Sequence, residues 1–146
     1  MNPTIPTPVE NSVFRGTYRI KLILGFGEFY VFDKFIIGEV YEGQHVGWDS
    51  VKILIDKVYE HFESTDIDIA YISNRIHSYS LQPKDWLNFY RERHKIKSFS
   101  IVSYNKLGAM NIALERIFSK APINNFPNLE AAVDWVLNGK TDTVKR

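Results

Sequence analysis

The chain has 146 residues, 45% hydrophobic and 24% charged, which is an ordinary globular composition at a length suited to one domain with one core. Cysteine is absent, which excludes disulfides, thiolate catalysis and cysteine-based zinc sites. A net charge of +1 supplies no overall field towards nucleic acid or an anionic membrane.

Residues 1–16, with Pro3, Pro6 and Pro8, show little periodicity and read as a flexible N-terminal arm ahead of a domain at 17–139. They lack the cationic start and apolar run of a signal peptide, and no apolar run approaches transmembrane length. A soluble, cytoplasmic protein is therefore expected. Tyr18, Ile20, Leu22 and Leu24 alternate with Arg19 and Lys21, the period-two pattern of a strand. After Gly25 and Gly27, residues 28–32 and 35–41 are rich in aromatic and β-branched side chains, with Asp33-Lys34 as the turn between them. The opening is thus predicted to be a three-stranded antiparallel meander.

A helix is predicted after Gly47, since Trp48, Val51, Leu54, Ile55, Val58 and Phe62 recur at three- and four-residue spacing. A strand follows at residues 67–72. A second helix is predicted from Pro83 to about Arg93, with Trp86, Phe89 and Tyr90 as its buried stripe. Residues 99–102 form a short strand, and residues 107–119 a helix presenting Leu107, Met110, Leu114, Ile117 and Phe118. After an extended piece near Ile123, the last helix begins at Asn128, a good N-cap, and stops at Gly139. Residues 140–146 are a polar tail. Helix crossovers between the later strands favour parallel pairing. The predicted fold is α/β, a single-domain mixed sheet of four to five strands with about four helices.

The segments Gly27-Glu28-Phe29-Tyr30-Val31-Phe32, Tyr71-Ile72-Ser73-Asn74-Arg75, Ser78-Tyr79-Ser80 with Pro83 and Trp86, and Phe126-Pro127-Asn128-Leu129-Glu130-Ala131-Ala132 with Trp135 resemble the STAS/SpoIIAA-like domain family, in particular its small bacterial members. The resemblance covers roughly residues 18 to 138. It implies an N-terminal β-meander followed by alternating helices and strands, and a role in signalling through protein binding. Members of the wider group include anti-sigma-factor antagonists, switched by phosphorylation of a Ser in an Asp-Ser-(Ser/Thr)-Gly stretch. Residues 73–83 hold Ser73, Ser78 and Ser80 without that Asp or Gly, so the phosphoswitch does not carry over. A related resemblance, to CRAL-TRIO lipid-binding domains, implies an apolar ligand instead.

The candidate partner- or ligand-binding residues are Asn74, Arg75, His77, Ser78, Tyr79, Ser80 and Trp86. A strand that runs into a helix presents side chains to solvent at this point in α/β domains. Arg75 suits a carboxylate or phosphate held through two parallel hydrogen bonds, His77 a proton, and Ser78 and Ser80 a phosphoryl group. The plainer account is that Asn74 and Ser80 make local turn and capping bonds with Tyr79 packed beneath. The run Arg91-Glu92-Arg93-His94-Lys95-Ile96-Lys97 reads as helix-terminal cations rather than a nucleic-acid patch. His45, His61, His77 and His94 stand in no metal-ligand spacing, and Gly25-Phe26-Gly27 is a turn rather than a dinucleotide fingerprint. No catalytic residue, metal or cofactor is expected.

Eight Tyr, ten Phe and three Trp exceed what a core of this size requires, and Phe26, Phe29, Tyr30, Phe32, Phe35 and Tyr41 crowd the meander. One sheet face must meet helices; the other meets helices too, or else a ligand or second subunit. The sequence thus predicts a non-catalytic regulatory or protein-interaction module. A carrier or sensor of a small apolar or lipid-like ligand, with Arg75 as polar anchor, is the alternative.

Overall fold

The computed structural model describes residues 5–104 and 119–139. The helix expected at residues 107–119 lies, but for its last residue, outside them, as does the polar tail. The meander forms as its residue pattern dictates. Strands β1 (Ile20–Leu24), β2 (Gly27–Val31) and β3 (Phe35–Val40) pair antiparallel, with Leu22 opposite Phe29 and Tyr30 opposite Ile37. The turn at Asp33-Lys34 is closed by the Phe32 N–H, which donates to the Phe35 carbonyl at 2.8 Å.

A two-residue strand β4 (His45–Val46) leads into helix α1 (Trp48–Phe62), whose three- and four-residue spacing buries Leu54 and Val58. Glu63 takes the left-handed conformation and ends it, its N–H bonded back to the Glu60 carbonyl. Strand β5 (Ala70–Arg75) lies parallel to β3 and sits three residues beyond the predicted strand at 67–72. Polar Ser73, Asn74 and Arg75 remain in the ladder because β5 is a central strand with neighbours on both sides. Ser73 stands in register with Gly38 and with Ile101.

Strand β6 (Ser80–Leu81) pairs in parallel with β4, and helix α2 (Asp85–Arg91) starts two residues after Pro83. Strands β7 (Phe99–Ser103) and β8 (Ile123–Phe126) extend the parallel half. Helix α3 (Leu129–Asn138) is capped by Asn128, whose Oδ1 accepts from the Ala131 N–H at 2.8 Å. The result is a six-stranded mixed sheet in the order β1-β2-β3-β5-β7-β8, with three α-helices among the described residues. The α/β class is as the sequence predicts, and the sheet holds more strands than the four to five expected. No described helix is long and apolar enough to cross a membrane.

Alternation along each strand sorts the side chains to two faces. On one face Tyr30, Ile37, Ile72 and Val102 pack against Leu129, Ala132 and Val133 of α3. On the other, Phe29, Ile36 and Val40 meet Leu54 and Val58 of α1, while Trp86 of α2 lies against Phe99 and Ile101. The stretch ahead of β1, predicted as part of a loose arm, forms a single 3-10 turn at Val9–Asn11 and buries Val9 completely against the α3 face. Its anchor is Glu39, whose carboxylate accepts from the Val9 N–H at 2.7 Å.

Candidate functional site

The α1–α2 face is not closed. Between the sheet and the two helices lies a cavity of about 190 Å³. Its floor is Phe29, Ile36 and Val40; its walls include Leu54 and Val58 of α1 and Trp86 and Phe89 of α2. The parallel β4–β6 ladder closes one side with Val46 and Leu81. His94, from the segment after α2, braces another. Its Nδ1 lies 2.7 Å from the Tyr59 hydroxyl, and its ring packs near Trp48 and Phe89.

The aromatic walls explain the open space. Trp86 stacks on Tyr90 at 5.8 Å and meets Phe99 edge-on at 5.2 Å, and Phe99 in turn stacks on Tyr71 at 5.3 Å. Large flat rings locked to one another do not collapse into a void as aliphatic chains do. The Tyr71 ring lies across the sheet above Gly38. A Cβ at residue 38 would stand 2.7 Å from Tyr71 Cζ and 2.9 Å from Phe29 Cδ2, so only glycine permits this arrangement.

One corner of the cavity is polar and is built by the carboxyl end of β5. Ser73 Oγ accepts from Arg75 Nε at 3.0 Å and lies 2.8 Å from the Tyr79 hydroxyl. The Arg75 guanidinium stands 5.6 Å from the Tyr79 ring centroid, within cation–π range. Asp85, at the start of α2, also lines the cavity; burial raises its carboxyl above the ordinary aspartate value.

The predicted site residues separate into three groups. Arg75, Tyr79 and Trp86 come together as lining of the cavity. His77, Ser78 and Ser80 are exposed beside it. His77 Nδ1 lies 3.8 Å from a Glu42 carboxylate oxygen, which also accepts from the Ser78 N–H at 2.9 Å, and Ser80 Oγ stands 2.7 Å from His45 Nδ1. Asn74 points to the opposite face and is buried. Its amide donates to Glu39 at 2.8 Å and to the Thr7 carbonyl at 3.0 Å, and its oxygen accepts from the Tyr104 hydroxyl at 2.7 Å. These bonds fix the residues before β1 to the sheet.

Sequence reasoning omitted Ser73, Tyr71 and Gly38 from the site. The signal for Ser73 was period two: it shares a strand face with Arg75. Gly38 and Tyr71 meet across two strands, a juxtaposition that no local pattern encodes. The residues Arg91 to Lys97 serve as bracing, with His94 inserted among aromatics and Lys95 paired to Asp66 at 2.6 Å. Among the described residues no three His, Asp or Glu side chains gather as a metal site. No family model, curated protein or solved structure matches the chain.

Proposed function

We propose that this protein is a non-catalytic module of STAS/SpoIIAA-like type that carries or senses a small apolar ligand in the cavity between its sheet and α1–α2. The observation that carries the reading is the cavity, about 190 Å³ behind almost wholly apolar walls. Such walls offer water few partners, whereas an apolar ligand of matching shape recovers the dispersion contacts they lack. The polar corner lies at the carboxyl end of a central parallel strand, where open α/β sheets hold their ligands. The meander followed by parallel crossovers supports the family assignment. Binding rather than catalysis is supported by the surroundings of Ser73, whose hydroxyl meets, among the described residues, a phenol and a guanidinium and not the imidazole or carboxylate that activates a serine nucleophile.

Regulation through a protein partner is a second reading, favoured by the exposure of His77, Ser78 and Ser80 immediately beyond the cavity rim. A partner docked there would read the occupancy of the neighbouring cavity. Native mass spectrometry of the purified protein, followed by denaturing extraction, tests the main reading. The expected result is extra mass that leaves on denaturation, with Tm rising again when the extracted compound is restored. An apo mass together with an unchanged Tm across a panel of small hydrocarbons, alcohols and acids refutes the carrier and leaves the partner module.

A further inference from the structure

We infer that the ligand of this cavity is an uncharged compound with one aromatic ring, held by ring-to-ring contact and by no ion pair. The inference rests on the carrier reading and narrows it by charge, size and shape.

Charge comes first. Three charged side chains line the cavity, and each is already engaged. Arg75 donates from Nε to Ser73, stands beside the Tyr79 ring and has a further interaction besides these. Lys95 pairs with Asp66 at 2.6 Å, and Asp85 accepts from the Asn88 amide at 3.2 Å. Hydroxyls in the walls are engaged in the same way, Tyr79 with Ser73 and Tyr59 with His94. An ionised guest would therefore lose its water without meeting a waiting counter-charge, a cost that apolar surroundings enlarge. A guest without charge avoids it.

Size and shape narrow the class further. An apolar cavity of about 150 Å³ takes one benzene ring, whereas sites for drug-sized ligands span about 300–1,000 Å³. At about 190 Å³ this cavity has room for one ring and a short alkyl group, and none for a long acyl chain. Tyr71, Phe99 and Trp86 form a continuous train of stacked and edge-on rings, and Phe26 and Phe29 make a second pair at 5.1 Å. Flat surfaces of this kind match a flat guest through offset or edge-on contact, a geometry that a saturated ring or chain does not exploit.

The test measures binding of toluene, methylcyclohexane, 1-octanol and benzoate by calorimetry, to the wild-type chain and to Val51→Phe. Val51 lines the cavity from α1, and a phenyl group there fills it. Affinities of the three neutral probes are compared after division by their water-to-alkane partition coefficients, which removes their unequal hydrophobicity. On that scale toluene is expected to bind roughly two- to tenfold tighter than methylcyclohexane, the margin of one aromatic contact. Benzoate should bind at least roughly tenfold more weakly than toluene, and Val51→Phe should abolish toluene binding. Benzoate binding as tightly as toluene overturns the uncharged ligand. Methylcyclohexane or 1-octanol matching toluene on the corrected scale overturns the aromatic ring. The cavity carrier stands in both cases. If no probe binds in a way that Val51→Phe blocks, the inference falls, and the native mass spectrum decides separately whether the carrier reading falls with it. Should Val51→Phe not fold, NMR shifts induced by toluene in the wild-type chain locate the site instead. Shifts centred on Trp86 and Phe89 support the inference, and shifts confined elsewhere overturn it.

Discussion

The two faces of the sheet are built from the same strands, residue by alternate residue, and are finished in opposite ways. On the α3 face Tyr30, Ile37, Ile72 and Val102 reach zero exposure, and the polar groups there, Glu39 and Asn74, are bonded to the chain ahead of β1 and to Tyr104. On the α1–α2 face the aromatic walls hold a cavity, and α2 contributes no fully buried residue. A close-packed face on which Glu39 and Asn74 are hydrogen-bonded, with the buried Ser100 hydroxyl as its one described side-chain group lacking a partner, supplies stability and a unique register. The other face is thereby free to stay underfilled, at some cost in stability.

Paired truncations give the sharpest test of that division. Ile72→Ala, on the closed face, should cost about 3–5 kcal/mol, because neighbours packed on all sides cannot collapse into the hole. Leu54→Ala, against the cavity, should cost nearer 2 kcal/mol, since part of its contact shell is already empty. Urea unfolding of both variants measures the difference. Equal losses would mean that the two faces are packed alike.

Glu39 probes the closed face by another route. Burial raises its carboxyl above the ordinary value, outweighing the bonds from Val9 and Asn74. A carboxyl with a raised folded-state pKa binds its proton more readily folded than unfolded. Its contribution to stability is therefore present below the ordinary glutamate range and lost as pH rises through the raised value. The stability of the wild type minus that of Glu39→Gln should fall as pH climbs from acid to neutral. Glu39→Ala removes the acceptor altogether and should cost about 1–3 kcal/mol, with faster hydrogen exchange at the Val9 amide. A flat difference curve would show that Glu39 is not buried as a carboxylate.

Gly38→Ala attacks the other face. The new methyl group must displace Tyr71, so a loss of about 1–3 kcal/mol is expected, together with weaker ligand binding. Adding Tyr71→Leu should recover part of the stability, because the clash partner has gone. If the two changes are simply additive, Tyr71 does not lie over Gly38 and the cavity floor is shaped otherwise.

Much of this architecture was legible in the sequence, and what was not has a physical pattern. The meander, its Asp33-Lys34 turn, α1 and the Asn128 cap all follow from local rules: alternation, three-four spacing and cap chemistry. Strand β5 was placed too early because Ser73, Asn74 and Arg75 read as loop residues. Their strand character depends on β3 and β7, far away in sequence. Asn74 was assigned to the site for the same reason; its partners, Glu39, Thr7 and Tyr104, come from three separate segments. Arg75, Tyr79 and Trp86 were found as neighbours in sequence, but the cavity they line exists only because α1 and α2 cross on the same face.

The smallest expected effect tests whether the two faces are independent. Asn128 caps α3, the helix that packs on the closed face, by accepting from the Ala131 N–H. Asn128→Ala should cost about 1 kcal/mol, the usual loss when a cap oxygen is removed. The cavity lies across the sheet from this bond, so the affinity of a cavity ligand should not change. Thermal unfolding with and without the compound recovered by denaturing extraction measures both quantities in one variant. If the cap variant loses affinity as well as stability, the sheet transmits strain between its faces. The cavity would then be a property of the whole fold and not of one underfilled side.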